Sequence, residues 1–262
     1  MPIAISKDNV KILSSHKQQF FIADWYDLAS DSHFWMAGRL AAAIKQFRRN
    51  NVPLDKNLRG LEIGCGHGVL RAQIEKHSNW TVDGCDLDLD ALQSKALLRG
   101  ETYLYDIFDR ANFLKERYDF IMLFDVIEHI EKVQPFIEAS LFHLKPGGLV
   151  FVNVPAINSL FSHYDKVVGH YRRYEKQMLQ KELTACGLDI IDTNYWGATF
   201  LPILYLRRLL LRNVKEDVVV KKGFEPPGAL VNAMLKAMIN IEVSLFPKPY
   251  LGASLLAIAR KR

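Results

Sequence analysis

The chain has 262 residues, 49% of them hydrophobic, so it can bury a sizeable core and is not expected to be disordered. Its net charge of +5 is moderate, and its basic clusters fit either an anionic partner or solvated helix ends. Three cysteines without paired spacing indicate neither a disulfide framework nor a zinc-type site, and we expect no metal.

Helices are expected before the core. A helical lid is expected at about 18–50. Within it, Trp25 to Arg49 has the pattern of two helices, and Trp35, Leu40, Ile44 and Phe47 recur at mainly helical intervals. Such helices could form a lid over a pocket.

From residue 58 onward, apolar runs of strand length alternate with helical patterns, which is typical of a parallel sheet covered on both faces. Strands are predicted near 59–64, 80–86, 102–106, 118–124, 148–154 and 188–195. Helices are predicted near 68–77, 89–98, 131–143 and 175–186. In such sheets ligands bind at the carboxyl ends of the strands.

The chain from about 196 to 251 is predicted to be a helical insertion. It holds a hydrophobic helix near 198–212, a polar loop up to Pro226 and Pro227, and a second helix near 229–245. A last apolar strand follows at about 252–260. The sequence therefore predicts one α/β domain over residues 1–262, a doubly wound and mostly parallel sheet of seven strands with N-terminal helices and a helical insertion before the last strand.

Three glycines follow the first core strand at every second position, Gly64, Gly66 and Gly68, and Glu62 precedes them by two residues. Glycine lacks a Cβ atom, so the chain can turn tightly and a ligand can approach the backbone. A dinucleotide fingerprint has the different spacing G-x-G-x-x-G, and a carboxylate at Glu62 suits a cation better than a phosphate. The turn thus predicts a cradle for a cationic nucleotide and disfavours an NAD-linked oxidoreductase.

This E-x-G-x-G-x-G turn and four later segments, in the expected order, resemble the class I S-adenosylmethionine (SAM) dependent methyltransferases. The later segments are Asp86 after the second strand, Asp106 after the third, Asp125 to His129, and Leu144 to Gly148. The resemblance covers the core at about 58–195 and implies a Rossmann-like methyltransferase fold that binds SAM.

The resemblance also implies roles for single residues. The loop holding Glu62, Gly64, Cys65, Gly66 and Gly68 would wrap the methionine and ribose of SAM, and Asp86, beside Leu87, would accept the ribose hydroxyls. Asp106 and Ile107 would hold the adenine, and Asp125 would line the methionine end. The alternatives are a tight turn that packs a helix on the sheet, and a capping role for Asp86 or Asp106.

Candidate catalytic groups follow the fourth and fifth strands. His129 could be a general base, because the ordinary pKa of histidine lies near neutrality, or it could belong to a turn lining SAM. His163 to Tyr174 resembles the D-x-x-x-G-H-x-R-R-Y/F segment of a bacterial methyltransferase subgroup linked to glycan or lipid modification. There, Asp165 and His170 would be a base with its orienting carboxylate, and the acceptor would meet Arg172, Arg173 and Tyr174. The alternative is a capping and docking segment.

The sequence therefore predicts a SAM-dependent methyltransferase acting on a hydroxyl or carboxyl oxygen of a small-molecule, lipid-linked or glycan acceptor. A non-catalytic SAM-binding sensor or scaffold and an RNA methyltransferase are the alternatives. The N/D-P-P-Y/F segment typical of DNA and amide N-methylation is replaced by Asp125 to Glu128, so we expect no DNA partner.

We expect a cytoplasmic protein, because Met1 to Lys11 lacks the pattern of a secretory signal. The apolar run at 196–206 is too short to span a bilayer and is followed by Arg207 and Arg208. The helix at about 198–212 could lie at the inner face of a membrane, or it could cover the sheet or contact a second copy. The sequence does not reveal the oligomeric state.

Overall fold

Nine strands form one sheet in the computed structural model, which describes residues 4–5, 10–15, 30–92, 98–225, 227–246 and 248–262. Across the sheet their order is β1-β2-β5-β4-β3-β6-β7-β9-β8. In chain order they are β1 (Ala4–Ile5), β2 (Val10–Ile12), β3 (Arg59–Ile63), β4 (Thr81–Asp86), β5 (Thr102–Leu104), β6 (Tyr118–Phe124), β7 (Leu144–Pro155), β8 (Leu188–Trp196) and β9 (Ser254–Lys261).

Strands β2 to β7 pair in parallel, whereas β9 lies antiparallel between β7 and β8. The strands from β3 to β9 confirm the predicted doubly wound, mostly parallel sheet. The predicted number of seven is two too few, because β1 and β2 extend the sheet beyond β5. These two strands hold only two and three residues, too few to show a period in the sequence.

The described helices lie before, between and after the strands of the core. They are α1 (Phe34–Arg49), α2 (Val69–His77), α3 (Val133–Leu141), α4 (His163–Val167), α5 (Lys176–Ala185), α6 (Leu201–Leu210), α7 (Glu216–Phe224) and α8 (Ala229–Leu245). Of the predicted lid at about 18–50, residues 18–29 lie outside the described part of the chain. Of the helix predicted near 89–98, residues 89–92 form a turn and residues 93–97 lie outside the described part.

The polar loop predicted before Pro226 is wrong, because its residues 216–224 form helix α7. Val219 and Val220 are buried there, and Val219 packs with Tyr164 of α4 and with Leu211. The sequence there has three consecutive valines, 218–220, between charged residues. Three adjacent apolar residues do not show the helical spacing that predicts a helix. Pro226 itself lies outside the described residues.

Two apolar layers cover the sheet. On one face α1 buries Met36, Ala43 and Phe47, which recur at helical spacing, and Phe47 packs against Phe151 with ring centroids 4.4 Å apart. Because Phe47 and its neighbours anchor α1, the first half of this helix, including Arg39, comes to lie at the carboxyl ends of the strands. The fold thereby brings a helix from before the core to the edge where ligands are expected.

Within the described residues, no helix taken alone has the length and apolar character needed to cross a membrane. In this part of the chain, the length and apolar character of a membrane span are reached only by two helical segments taken together, Val218–Phe224 and Ala229–Leu245. The chain bends by 63° between them.

Candidate active site

The glycine turn between β3 and α2 forms a crook in left-handed backbone. Gly64, Gly66 and Gly68 have φ values of +72°, +47° and +73°, a region that favours glycine. A Cβ atom on Gly64 would lie 2.8 Å from Cγ2 of Val126, which follows β6. The sequence pattern therefore reflects both a backbone requirement and a close approach between two strand ends.

The amides of this crook donate to protein acceptors. Gly64 and Cys65 donate to the carbonyl of Cys85, at 2.8 and 3.1 Å, and Gly66 donates to the carboxylate of Asp86 at 2.9 Å. A pyrophosphate-binding loop would instead present its amides to the phosphates. The crook is thus unlike a dinucleotide cradle, as its spacing predicts.

Asp86 ends β4 and holds the crook together. Its Oδ2 accepts the amide of Gly66, and its Oδ1 accepts the amides of Leu87 and Asp88 at 2.7 and 3.1 Å. Burial raises the pKa of this carboxyl. A carboxylate has about four acceptor positions, so one ribose hydroxyl can bind without rearrangement, and a second would replace the longer Asp88 contact.

Glu62 lies under the crook at the end of β3, buried, and its Oε2 accepts the amide of Arg71 at 3.2 Å. Burial raises the pKa of Glu62 to about 7, and the nearby guanidinium groups of Arg71 and Arg39 act in the opposite direction. A positively charged ligand would stabilise the ionised form of this buried carboxyl. The residues present therefore fit SAM, which carries an ammonium and a sulfonium.

Cys65 is buried in the same crook, and burial raises the pKa of its thiol, so it is a small packing group and not a nucleophile.

Asp106 and Ile107 begin a short 3₁₀ turn after β5. The Asp106 carboxylate accepts the amide of Phe108 at 3.0 Å, which is the capping alternative, while Ile107 is buried in the core. The Asp106 amide donates to Ser14 Oγ at 2.8 Å. Ser14 follows β2 and was not predicted, since a serine after so short a strand carries no distinctive signal. The adenine contact expected for Asp106 and Ile107 stays a prediction.

Asp125, directly after β6, has φ of +58°, which is uncommon for a residue with a side chain. Its carboxylate accepts Nη1 of Arg39 and Nδ2 of Asn153, both at 2.5 Å. Arg39 was not predicted as a site residue. It lies three positions after Met36 and four before Ala43, so it falls on the buried face of α1. That position was the available signal.

The candidate bases meet although they are distant in sequence. The rings of His129 and His170 lie 4.6 Å apart at 74°, and the Tyr171 amide donates to the Glu128 carbonyl at 2.8 Å. Burial and the neighbouring His170 lower the pKa of His129 to about 3. His129 is therefore neutral at pH 7 and a weak base.

Asp165 is fully buried and orients His170, whose Nδ1 lies 3.0 Å from Asp165 Oδ1. Asp165 also accepts Nε of Arg173 at 2.7 Å and forms a capping box with Ser162 at the start of α4. Burial opposes ionisation, but the His170 hydrogen bond and the charge of Arg173 hold the pKa of Asp165 well below its usual range. The carboxylate therefore only accepts, and His170 donates from Nδ1.

The three residues predicted to meet the acceptor have side chains in different surroundings. Arg172 is partly exposed and donates to the carbonyls of Ile130 and Glu131 at 3.0 and 2.8 Å. Arg173 is buried and pairs with Asp165. Tyr174 is fully buried in the core, so its side chain is not accessible to an acceptor. This arrangement matches the capping and docking alternative for these three residues.

Glu128, His129 and His170 also place one ligand atom each within 4.8 Å of one another, so they could hold a metal ion. Glu128 is 1% exposed, and in the described part of the chain its Oε2 has no hydrogen-bond partner. One carboxylate with two imidazoles suits zinc or another divalent transition metal. The expectation of no metal rested on sequence spacing, which cannot reveal residues joined by the fold.

A family model described as "Methyltransferase domain" matches residues 33–193. The ubiquinone biosynthesis O-methyltransferase of Brucella anthropi is 30% identical in an alignment of 172 residues that covers 58% of this chain and 66% of that protein. Its counterpart in Rhizobium leguminosarum is 27% identical over 169 residues with the same coverage. The chain thus spans just under two thirds of these relatives.

Solved structures share the fold at low identity. Phosphoethanolamine N-methyltransferase 2 of Haemonchus contortus, in complex with SAM, has a TM-score of 0.59 and 18% identity over 95% of this chain and 60% of that one. The [4+2]-cyclase SpnF has a TM-score of 0.55 and 16% identity, covering 86% of this chain and 80% of that one. One fold therefore serves different reactions, and activity has to be argued from the site.

Proposed function

This chain belongs to the class I SAM-dependent methyltransferases, and from that premise we propose that it methylates an oxygen atom of its acceptor. The acceptor group would be a hydroxyl or carboxyl of a small molecule, a lipid-linked intermediate or a glycan. SAM supplies a methyl group on a positively charged sulfur that is already an activated leaving group. The protein has to hold SAM, align the acceptor and remove a proton where the acceptor is a hydroxyl.

The contact between Asp165 Oδ1 and His170 Nδ1 at 3.0 Å carries the proposal. Because Asp165 is ionised and fixed by Arg173, it holds His170 with the proton on Nδ1 and the lone pair on Nε2. In this tautomer Nε2 could take the proton of an acceptor hydroxyl while the methyl group leaves the sulfur and bonds to the hydroxyl oxygen. The 3.0 Å contact between the imidazole and its orienting carboxylate supports this role.

His170 is better suited to this role than His129. Burial lowers the pKa of His129 to about 3. Its neutral imidazole is therefore too weak a base to be an effective proton acceptor near neutrality. His129 packs edge-on against His170 and thereby limits the ring orientations that His170 can adopt.

Oxygen methylation also agrees with the names of the relatives from Brucella anthropi and Rhizobium leguminosarum, which are O-methyltransferases. RNA methylation has less support. Arg173 is engaged by Asp165, and Arg172 by two backbone carbonyls, so neither presents a free guanidinium fork to a phosphate.

The test uses isotopically labelled SAM and fractionated cell extract, with the wild type compared with His170→Gln. Removal of a general base reduces turnover by about 10²- to 10⁴-fold. His77→Gln is the matched control, because His77 is exposed on α2. We expect SAM affinity to be unchanged in both variants, with label transfer lost only in His170→Gln.

Label found in RNA would contradict oxygen methylation of a lipid, glycan or metabolite. SAM binding with no label transfer to any fraction would favour the sensor or scaffold alternative. Equal turnover in wild type and His170→Gln would remove His170 from the mechanism.

A further inference from the structure

Helix α8 packs on the protein through one face only. On that face Ile239 is fully buried against Gly38 of α1, and Asn232 accepts the amide of Phe34 at 2.9 Å. Glu242 is also buried, and its carboxylate accepts the amides of residues 197–199 at 2.7 to 2.9 Å. These contacts fix the rotation of α8 about its axis.

The opposite face of α8 is apolar and exposed. Leu230, Met234, Ala237, Ile241 and Leu245 recur every three or four residues, and the four large side chains are 58 to 76% exposed. This stripe extends over about 22 Å at 1.5 Å per residue. Within Ala229–Leu245, all of which is described, the exposed positions hold no charged residue. A stripe of large exposed apolar side chains beside polar neighbours marks an interaction surface, so we infer that this face contacts a partner.

Helix α6 in the same insertion repeats the pattern. Leu206, Leu209 and Leu210 are exposed by more than half, and none of the ten residues of α6 is buried. Basic residues follow directly, with Arg212 and Lys215 exposed after the helix. Lys221 and Lys222, both exposed, lie in the last turn of α7. Apolar and basic side chains are thus combined on the surface of one insertion.

The charge of the molecule is concentrated here. Residues 196–251 contain eight of the chain's basic residues and four of its acidic residues, so they carry +4 of the net +5. One of the four acids, Glu242, is buried and does not reduce the surface charge.

We propose that the exposed faces of α6 and α8, with the basic residues beside them, dock this protein on the surface of an anionic phospholipid bilayer. Leucine, isoleucine and methionine side chains would enter the interface between headgroups and acyl chains. The lysines and arginines would meet the lipid phosphates. A second copy of the chain is a poorer partner, because a symmetric contact would bring two insertions of charge +4 together.

Helix α6, which carries part of the docking face, contacts the segment that holds Asp165 and leads to His170. The guanidinium of Arg207 in α6 lies 4.2 Å from the ring centroid of Tyr164, the residue before Asp165. Arg208 donates to the carbonyl of Ser159 in the segment that leads to α4. Docking does not depend on the proposed methyl transfer, but if that function holds, this contact favours an acceptor that resides in the membrane.

The experiment is vesicle flotation of the full chain, with phosphatidylcholine vesicles with and without phosphatidylglycerol. The wild type should float with the anionic vesicles and be released by salt. The double variant Met234→Gln, Leu245→Gln should bind about tenfold or more weakly, since two exposed apolar groups are removed. Lys221→Gln, Lys222→Gln should lose most of the preference for phosphatidylglycerol, because each basic residue contributes several-fold.

The matched control is Phe108→Gln, Phe113→Gln, which also replaces two exposed apolar side chains but lies in the turns after β5. It should float like the wild type. Thermal unfolding and SAM binding, measured on every variant, identify any loss caused by misfolding.

No flotation of the wild type, or equal flotation of the wild type and the α8 variant, would overturn the proposal. A dimer by light scattering that the α8 variant dissociates, without vesicle binding by either protein, would also overturn it and assign the face to a second copy.

Discussion

Arg39 donates from Nη1 to the carboxylate of Asp125 at 2.5 Å, although 86 positions separate the two residues. The contact ties α1 to the strained backbone that follows β6. The same buried guanidinium lies close enough to lower the pKa values of Glu62 and Glu128, which burial raises. Arg39 is thus the common cation of three acids around the candidate site.

Replacing Arg39 with methionine should destabilise the protein and weaken SAM binding. It leaves the Asp125 carboxylate with one of its two side-chain partners. The side chain of Asp125 is 21% exposed, so we expect a loss between about 1 kcal/mol, typical of an exposed pair, and about 3 to 5 kcal/mol, typical of a buried one. Urea unfolding and calorimetry with SAM measure both effects.

Lys76→Met is the matched control for Arg39→Met. Lys76 pairs with Asp31, and both side chains are largely exposed, so we expect a loss of at most about 1 kcal/mol. Equal losses of stability in the two variants would show that the contact between Arg39 and Asp125 stabilises the fold no more than an exposed ion pair does.

Gly64→Ala should abolish SAM binding and lower stability. Alanine at this position would have to adopt the left-handed backbone of Gly64, which costs about 1 to 2 kcal/mol. Its methyl group would also collide with Val126. Gly147→Ala separates these effects, because Gly147 has φ of +73° but nothing within 4 Å of an added Cβ.

We expect urea midpoints to fall in both glycine variants and SAM binding to fail only in Gly64→Ala. Undiminished SAM affinity in Gly64→Ala would show that the cofactor does not depend on the crook.

Local patterns predicted the core of this fold and the position of its ligand edge. Most of the strands from β3 to β9 are predicted by apolar runs of up to about ten residues, and the glycine crook is predicted by the spacing of its three glycines. The contacts that complete the site are of another kind. Arg39 meets Asp125, and Glu128 meets the segment after His170, only because the sheet places distant segments side by side.

The type and spacing of a residue did not show whether it binds a ligand or has a structural role. Asp86 and Asp106 have the spacing of cofactor ligands, and both also cap backbone amides. Tyr174 lies in a polar motif but is buried, because its backbone pairs with Ala156 at the end of β7. Whether a side chain faces a ligand or the core depends on neighbours that the sequence does not name.

Asp165→Asn should destabilise the protein at neutral pH and reduce turnover. The change leaves the buried Arg173 without its counter-charge and removes the fixed tautomer of His170. We expect a loss of about 3 kcal/mol or more. Asp189→Asn, in a pair with Arg262 that is exposed on both sides, should be nearly neutral.

The effect of Asp165→Asn should depend on pH with a defined sign. The pKa of Asp165 lies below its ordinary value of 3.8 in the folded protein, so its ionisation stabilises the fold above that value. The difference in unfolding free energy between wild type and variant should be full at pH 7 and shrink as the pH falls below about 4. A difference that grows toward acid pH would reverse the assignment.

Glu62 should give the opposite pH dependence in the absence of SAM. Its pKa is raised from 4.5 to about 7 by burial, so the folded state binds a proton that the unfolded state has lost between these values. Stability therefore falls as the pH rises through this window, by about 2 to 4 kcal/mol in total from this group. The buried carboxylate formed at higher pH is the group that a bound cation would stabilise.

SAM affinity should accordingly rise from pH 5 to 7.5 as Glu62 ionises, with release of a proton on binding. Calorimetry in buffers of different ionisation enthalpy measures that proton directly. Glu62→Gln should flatten both the stability curve and the affinity curve, whereas Glu138→Gln, on the exposed side of α3, should change neither. Since the sulfonium and ammonium of SAM are the only cations the proposed cofactor brings, an affinity independent of pH in the wild type would place them away from Glu62.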